Sequence, residues 1–372
     1  MGYKICLILE NYNVRGGLER VVSLIANGLA NCGHNVFIIS IGKGVLPAYD
    51  TDERIKLHEL NFTNTYKKTS RIRFIGWIRI LLRDIKKTIR IRHLLKSIHP
   101  DFVVAEGIEL FRHVNFVKWT IPFKAIGCEH RWLEANQSFT VKLGQKLAIK
   151  NASKLVVLSK EDLATYQKKY PNASNLKQIY NPIAFNTKSN YQPNSKIVIA
   201  AGRYVPQKGF DLLIESWSRI ADKIPDWELR IFGDGELRNE LQAQIDHYNL
   251  SNVKLCGFTK ELDRELEKAS IFALSSRFEG WGLVLIEAQA KGLPCISFNC
   301  KCGPSEIIDD GVNGLLVSPE NTEEFAEKLL LLMQNEELRR SFSANAQKDL
   351  YRFDSEKVVG EWIALFDSLS KE

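Results

Sequence analysis

Along the chain, short apolar runs alternate with longer stretches in which apolar residues recur every three or four positions. That is the pattern of strands and helices wound into βα units. It predicts strands at 4–9, 35–40, 102–106, 124–128 and 155–158. A helix opens near Gly17, carries Val21, Leu24, Ile25 and Leu29 on one face and stops at Gly33. A second series follows Asn181-Pro182, with strands predicted at 196–201, 228–232, 252–256, 271–273, 294–298 and 314–317. Its helices are expected at 210–221, 236–248, 262–268, 283–290 and 322–335. The expectation is α/β throughout: two doubly wound, Rossmann-like domains, 1–185 and 195–354, joined by the polar stretch 186–195. The stretch 355–372, with Trp362, Ile363, Leu365 and Phe366 in helical register, is expected to pack back on the first domain. Domains of this kind bind ligands at the carboxyl ends of their strands, so the two are expected to face one another across a ligand cleft.

Composition narrows this picture. With 372 residues, 45% of them hydrophobic, the chain can build two ordinary cores. Seven cysteines, an odd number set mostly in apolar runs, read as reduced thiols in a cytoplasmic protein. Cys300 and Cys302 are too close for a usual zinc pair and have no second pair to complete one. The opening run 4–9 is too short for a signal peptide and reads as a buried strand. Nothing reaches the roughly 20 continuous apolar residues of a membrane span.

The net charge of +7 is concentrated. Between Lys67 and Lys96 there are eleven basic residues and one acid, Asp84, which leaves the rest of the chain slightly acidic.

Two constellations carry chemistry. In the first, Gly202-Arg203 and Lys208-Gly209 bracket a loop between a strand and a helix. An Arg fork and a Lys point charge at a strand end suit a diphosphate, and the helix beginning Gly209-Phe210-Asp211 would add its dipole. In the second, Arg277-Phe278-Glu279-Gly280-Trp281-Gly282-Leu283-Val284-Leu285-Ile286-Glu287 sets two carboxylates eight residues apart where a loop becomes a helix. Carboxylates accept hydrogen bonds from sugar and ribose hydroxyls, and bare glycine backbone lets amides approach phosphate. An acid at Glu287 among Leu285, Ile286 and Ala288 is costly to bury without a task.

Taken with Gly303-Pro304-Ser305-Glu306-Ile307-Ile308 and Gly16-Gly17-Leu18-Glu19-Arg20, these motifs resemble family 4 of the retaining GT-B glycosyltransferases, including members that extend lipid-linked or envelope polysaccharides. The resemblance spans nearly the whole chain. It implies that Arg203 and Lys208 bind the donor diphosphate, that Glu287 holds the ribose and that Glu279 holds the donor sugar beside the reacting centre. It implies further that the amides of Gly280, Trp281, Gly282, Leu283 and Val284 meet sugar and phosphate, and that those of Gly16 and Gly17 approach the diphosphate. The base is placed near Gly257 and Phe258, and His130, with Glu129 a lesser candidate, lies by the donor sugar. The implied donor is a UDP-sugar, with GDP-mannose second. No Asp-x-Asp pair stands at a strand end, so no metal or other cofactor is expected. Same-face attack and double displacement both remain open.

The basic stretch reads as a helix with Ile75, Ile78, Leu82, Ile85 and Ile89 on one side and Arg79, Arg83, Lys86, Lys87 and Arg90 on a neighbouring stripe. With Phe74 and Trp77 it has the character of an interfacial helix on an anionic bilayer. It also resembles the basic helix with which some members of the family grip lipid-linked acceptors. The expected partners are a nucleotide sugar, a saccharide or lipid-linked saccharide acceptor and an anionic membrane surface, with the protein peripheral on its cytoplasmic face. A nucleic-acid binder would share the basic helix but has no use for the Glu279/Glu287 loop. A dinucleotide oxidoreductase lacks its G-x-G-x-x-G here. A GT-B sugar-nucleotide epimerase is the nearest alternative and would leave the basic helix unexplained.

Overall fold

In a computed structural model, which describes residues 2–44, 47–62, 73–133, 138–183 and 191–372, the chain divides into two compact units. One comprises Met1–Ala184 with Phe353–Glu372, the other Phe185–Arg352. Residues 186–190 of the stretch expected to link them lie outside the described residues.

The first unit is a seven-stranded parallel sheet of β1 (Lys4–Leu9), β2 (Asn35–Ser40), β3 (Lys56–Glu59), β4 (Phe102–Glu106), β5 (Lys124–Glu129), β6 (Lys154–Val157) and β7 (Leu176–Gln178). Their order is β3-β2-β1-β4-β5-β6-β7. The strand order therefore reverses between β1 and β4, where such sheets open for ligands. Helices α1 (Gly17–Asn31), α2 (Arg73–Ile98), α3 (Phe111–Lys118), α4 (Phe139–Asn151) and α5 (Lys160–Lys169) cover it. Strands β1 and β4 are buried from Ile5 to Leu9 and along their whole length respectively, because a parallel strand has helices on both faces.

The second unit repeats the plan with β8 (Ile197–Ala201), β9 (Glu228–Phe232), β10 (Val253–Gly257), β11 (Ile271–Leu274), β12 (Cys295–Phe298) and β13 (Gly314–Val317) in the order β10-β9-β8-β11-β12-β13. Its reversal falls between β8 and β11. Helices α6 (Phe210–Ser218), α7 (Arg238–His247), α8 (Leu262–Glu267), α9 (Leu283–Ala290), α10 (Pro304–Ile307), α11 (Thr322–Gln334) and α12 (Glu336–Ala346) surround it. The core runs from Trp217 and Phe210 under the sheet to Phe298, Phe325 and Phe342.

Helix α13 (Ser355–Ser370) belongs to the first unit. Phe366 lies on Phe102 with ring centroids 4.7 Å apart, and Tyr3 donates its hydroxyl to Asp367 at 2.7 Å. The helix fits against Gly28, where an added Cβ would come within 2.4 Å of Val359. The Ile183 amide donates to the Phe353 carbonyl at 2.7 Å, so the chain leaves the first unit and returns to it side by side.

Candidate functional site

In the second unit, the loops after β8 and β11 flank the reversal of strand order. Lys208, from the first loop, brings Nζ to 2.6 Å from Glu279 Oε1, from the second. Ser276 donates its hydroxyl to the same oxygen at 2.6 Å. Glu279 is 5% exposed, so this carboxylate is held among donors almost out of water. The Lys208 stem crosses Gly202, where a Cβ would lie 3.2 Å from its methylenes. Gly209 has φ +59°, and a Cβ there would meet the Ser275 carbonyl oxygen at 2.1 Å, so only glycine lets the two loops close. Arg203 is exposed at the start of the first loop.

Arg277 stitches these loops together. Its guanidinium donates to both oxygens of Asp211, at 2.9 and 2.7 Å, to the Pro206 carbonyl at 2.9 Å and to Glu320 at 3.1 Å. Burial pushes the Asp211 carboxyl up, but the Arg277 guanidinium outweighs it and holds the group below its ordinary range. Arg277 opens the Glu279/Glu287 run but had no role assigned from the sequence, and Ser276 lies just outside that run, because neither fits a periodic pattern. Their mark was only their place beside Glu279.

Gly282, at φ +89°, caps α9, so the amides of Leu283 and Val284 open the helix and have no partner inside it. Trp281 is buried and Gly280 half-buried. Glu287 lies in the second turn of α9, 8% exposed, so both acids of the pair are withdrawn from bulk water. Gly303 starts α10 directly against the Trp281 backbone. Gly257, with φ +76°, ends β10, and the Phe258 ring beyond it is 60% exposed.

The first unit gathers a separate set at its own reversal. Gly16 caps α1 after β1 and Gly17 begins it. Glu19, in the first turn, has its carboxyl raised by burial and partly countered by its own backbone and by His130. His130, at the end of β5, brings Nε2 to 2.9 Å from Glu106 Oε2, at the end of β4. Glu129 faces other partners: Gln145 donates at 2.8 Å, Tyr166 at 3.3 Å and the Arg131 amide at 3.2 Å, and burial raises its carboxyl. Those bonds give Glu129 a place within the fold.

Glu106 was overlooked in the sequence, although an acid closing a fully apolar strand is the same burial signal that drew attention to Glu287. Glu106, Cys128 and His130 place potential ligand atoms within 4.8 Å of one another, a grouping of types that can hold a metal ion. Local spacing does not mark this grouping, because Glu106 comes from the end of one strand and Cys128 and His130 from another.

Helix α2 corrects part of the acceptor assignment. Lys87 is buried and pairs with Glu10 at 3.0 Å, so it is not a surface cation. Arg90 donates to the Leu60 carbonyl at 2.6 Å and lies 4.9 Å from the Phe62 ring centroid. Arg83 is half-buried and Lys86 exposed, while the side chain of Arg79 lies outside the described residues. Leu82, Ile85 and Ile89 are exposed, and the helix instead buries Ile91, Leu95 and Ile98. Alongside, α3 is tied to α2 by Arg112 on Asp84, at 3.1 Å, and by Thr88 and His113, at 2.8 Å. It ends in the exposed rings of Phe116 and Trp119. Among the described residues, no helix is long and apolar enough to cross a membrane.

Residues 184–349 match the family model described as "Glycosyl transferases group 1". An uncharacterised glycosyltransferase of Haemophilus influenzae is 31% identical over 96% of this chain and 98% of its own. The amylovoran biosynthesis glycosyltransferase AmsD of Erwinia amylovora is 28% identical over 97% and 98%. The crystal structure of Anabaena HepE in complex with UDP and glucose covers 98% of this chain and 100% of that one, with a TM-score of 0.79 at 18% identity, a likeness of fold.

Proposed function

The chain belongs to the GT-B glycosyltransferases, and on that premise we propose that it transfers a hexose or N-acetylhexosamine from a UDP-sugar, with retention of configuration, to a membrane-associated saccharide in polysaccharide or glycolipid assembly. The observation that carries the reading is the meeting of Lys208 and Glu279, from two loops, at the reversal of the second sheet.

A sugar leaving a nucleoside diphosphate loads negative charge onto phosphate oxygen. Lys208 and Arg203 offset that charge, and preorganised donors in a desolvated site contribute several kcal/mol to such a step. In the absence of donor, Lys208 neutralises Glu279. An arriving diphosphate draws the ammonium toward itself and leaves Glu279 to accept from sugar hydroxyls. Glu287 accepts from the ribose, the first amides of α9 meet phosphate, and Phe258 offers its exposed ring to the base. The UDP assignment is supported by the UDP named with HepE, and the polymer by the product in the name of AmsD. The membrane half is supported by an exposed apolar stripe, Leu82, Ile85 and Ile89, on a helix rich in cations, and by the exposed Phe116 and Trp119 rings of the helix packed against it.

The donor is tested with a panel of nucleotide sugars, because a ligand of the folded state raises its melting temperature. UDP-sugars are expected to stabilise the protein, and Arg203→Ala and Glu279→Gln to abolish transfer while the fold survives. Near-normal turnover in both variants would sink the assignment. Sedimentation with vesicles containing anionic lipid tests the membrane half. Binding is expected for the wild type and lost when Ile85, Ile89 and Trp119 are replaced by Ser.

A further inference from the structure

The reversal point of the first unit holds a buried carboxylate that the reading above leaves without a task. Glu106 is 2% exposed at the end of β4, in register with Cys128 on β5. Its Oε1 is buried and meets no N–H or O–H donor among the described residues, only the weakly donating Cys128 thiol beside it, while Oε2 faces His130 Nε2 at 2.9 Å. Burying a carboxylate with so few strong donors costs stability, and a filler of the same size would be apolar. His130 is the member of this set that reaches the surface, its side chain being 16% exposed. An ionised carboxylate only accepts, so the nitrogen facing it must carry the proton. In a neutral imidazole the other nitrogen then presents a lone pair. Nδ1 of His130 has no hydrogen-bond partner among the described residues.

We propose that Glu106 is a positioning residue: its carboxylate fixes the His130 ring with the proton on Nε2, so that Nδ1 serves as a fixed acceptor for a hydroxyl of the reacting saccharide. The proposal rests on His130 serving the transfer reaction. The end of β4 is the natural place for such a group, because β4 borders β1 at the reversal, and Glu19 in the first turn of α1 is close enough to His130 to interact with it electrostatically.

The test has two arms, both on the full chain. Imidazole 15N shifts, with His130→Asn to assign the signal, read the tautomer directly. The wild type is expected to hold the proton on Nε2, and Glu106→Gln to mix the tautomers, because an amide can donate as well as accept. Steady-state transfer is then measured for Glu106→Gln, His130→Asn and the double variant. Glu106→Gln is expected to lower kcat by about tenfold or more, by analogy with the loss of a hydrogen-bonding partner that orients a metal-bound histidine. The double variant should be no slower than His130→Asn alone.

An unchanged tautomer in Glu106→Gln, or a further fall in the double variant, overturns the role of Glu106. Wild-type turnover in His130→Asn instead overturns the use of His130, whatever the tautomer. Zinc bound one to one by the wild type, lost in Cys128→Ser and required for turnover, would replace the dyad with a metal site.

Discussion

Replacing Lys208 by Met should destabilise the second unit far more than replacing Lys208 and Glu279 together. Glu279 Oε1 has two donors, Lys208 at 2.6 Å and Ser276 at 2.6 Å, and its side chain is 7% exposed. At an effective dielectric of about 20, the Coulomb attraction across that gap is roughly 6 kcal/mol, much of it offset by taking both ions out of water. Removing only the cation forfeits the attraction and leaves the carboxylate's desolvation in place. Breaking buried pairs in this way costs about 3–5 kcal/mol, and the 16% exposure of the Lys208 side chain lowers the expectation to about 2–4 kcal/mol. Lys208→Met/Glu279→Gln removes the charge as well and should recover about half of the loss. Hydrogen exchange of β8 and β11 amides in native buffer reads the second unit separately from the first, and urea unfolding gives the total. If Lys208→Met lies within about 0.5 kcal/mol of the wild type, or the double variant is no better than the single, Glu279 is not a charge held by Lys208 and the reasoning fails.

Three further outcomes follow from the same geometry. Gly209→Ala should cost more than about 2 kcal/mol, because it combines a left-handed φ of +59° with a collision at the Ser275 carbonyl; Gly282→Ala, at φ +89° with only ordinary van der Waals contacts to Leu285 and Ile307, should cost only the backbone strain of about 1–2 kcal/mol. Thermal melts of the two variants separate these costs. Arg277→Met should lower stability by about 1–2 kcal/mol, its pair with Asp211 being partly exposed, yet reduce donor affinity measured by calorimetry, because it frees the Lys208 loop from the Glu279 loop.

His113 is buried, and burial first, then Arg112 and Lys87, hold its imidazole down to about 3. An unfolded histidine binds its proton near pH 6.5, so the stability this group contributes is complete above that pH. It is lost as pH falls toward about 3, and His113→Asn should flatten that part of a stability–pH curve.

Much of the fold was legible because parallel strands buried on both faces announce themselves as apolar runs. The runs at β1, β2, β4 and β13 are such cases. Strands β3 and β7, Lys-Leu-His-Glu and Leu-Lys-Gln, were missed because they sit at the sheet edges and carry no apolar run. Helix α2 shows a deeper limit. Periodicity identifies an apolar stripe but not the direction in which it faces. This helix has two stripes, and the sheet took Ile91, Leu95 and Ile98 while Leu82, Ile85 and Ile89 stayed outside. For the same reason Lys87, assigned to the surface by its charge, turned out to be a buried partner of Glu10, a residue 77 positions away.

The second-unit site was readable where glycines and charges stand close in sequence. The order of the strands, which brings residues 208 and 279 into contact and sets Glu106 against His130, is a long-range property that local spacing does not carry.

The return of residues 353–372 to the first unit has a consequence for how the protein is made. Strands β1 to β7 are synthesised first, yet Phe353, Val359, Trp362 and Phe366, which complete their packing, are translated only after the entire second unit. A nascent chain therefore carries an uncapped surface around Gly28, Tyr3 and Phe102 throughout the synthesis of the second unit, while that intervening unit can close on its own as it emerges. On the ribosome, the half that begins first is finished last.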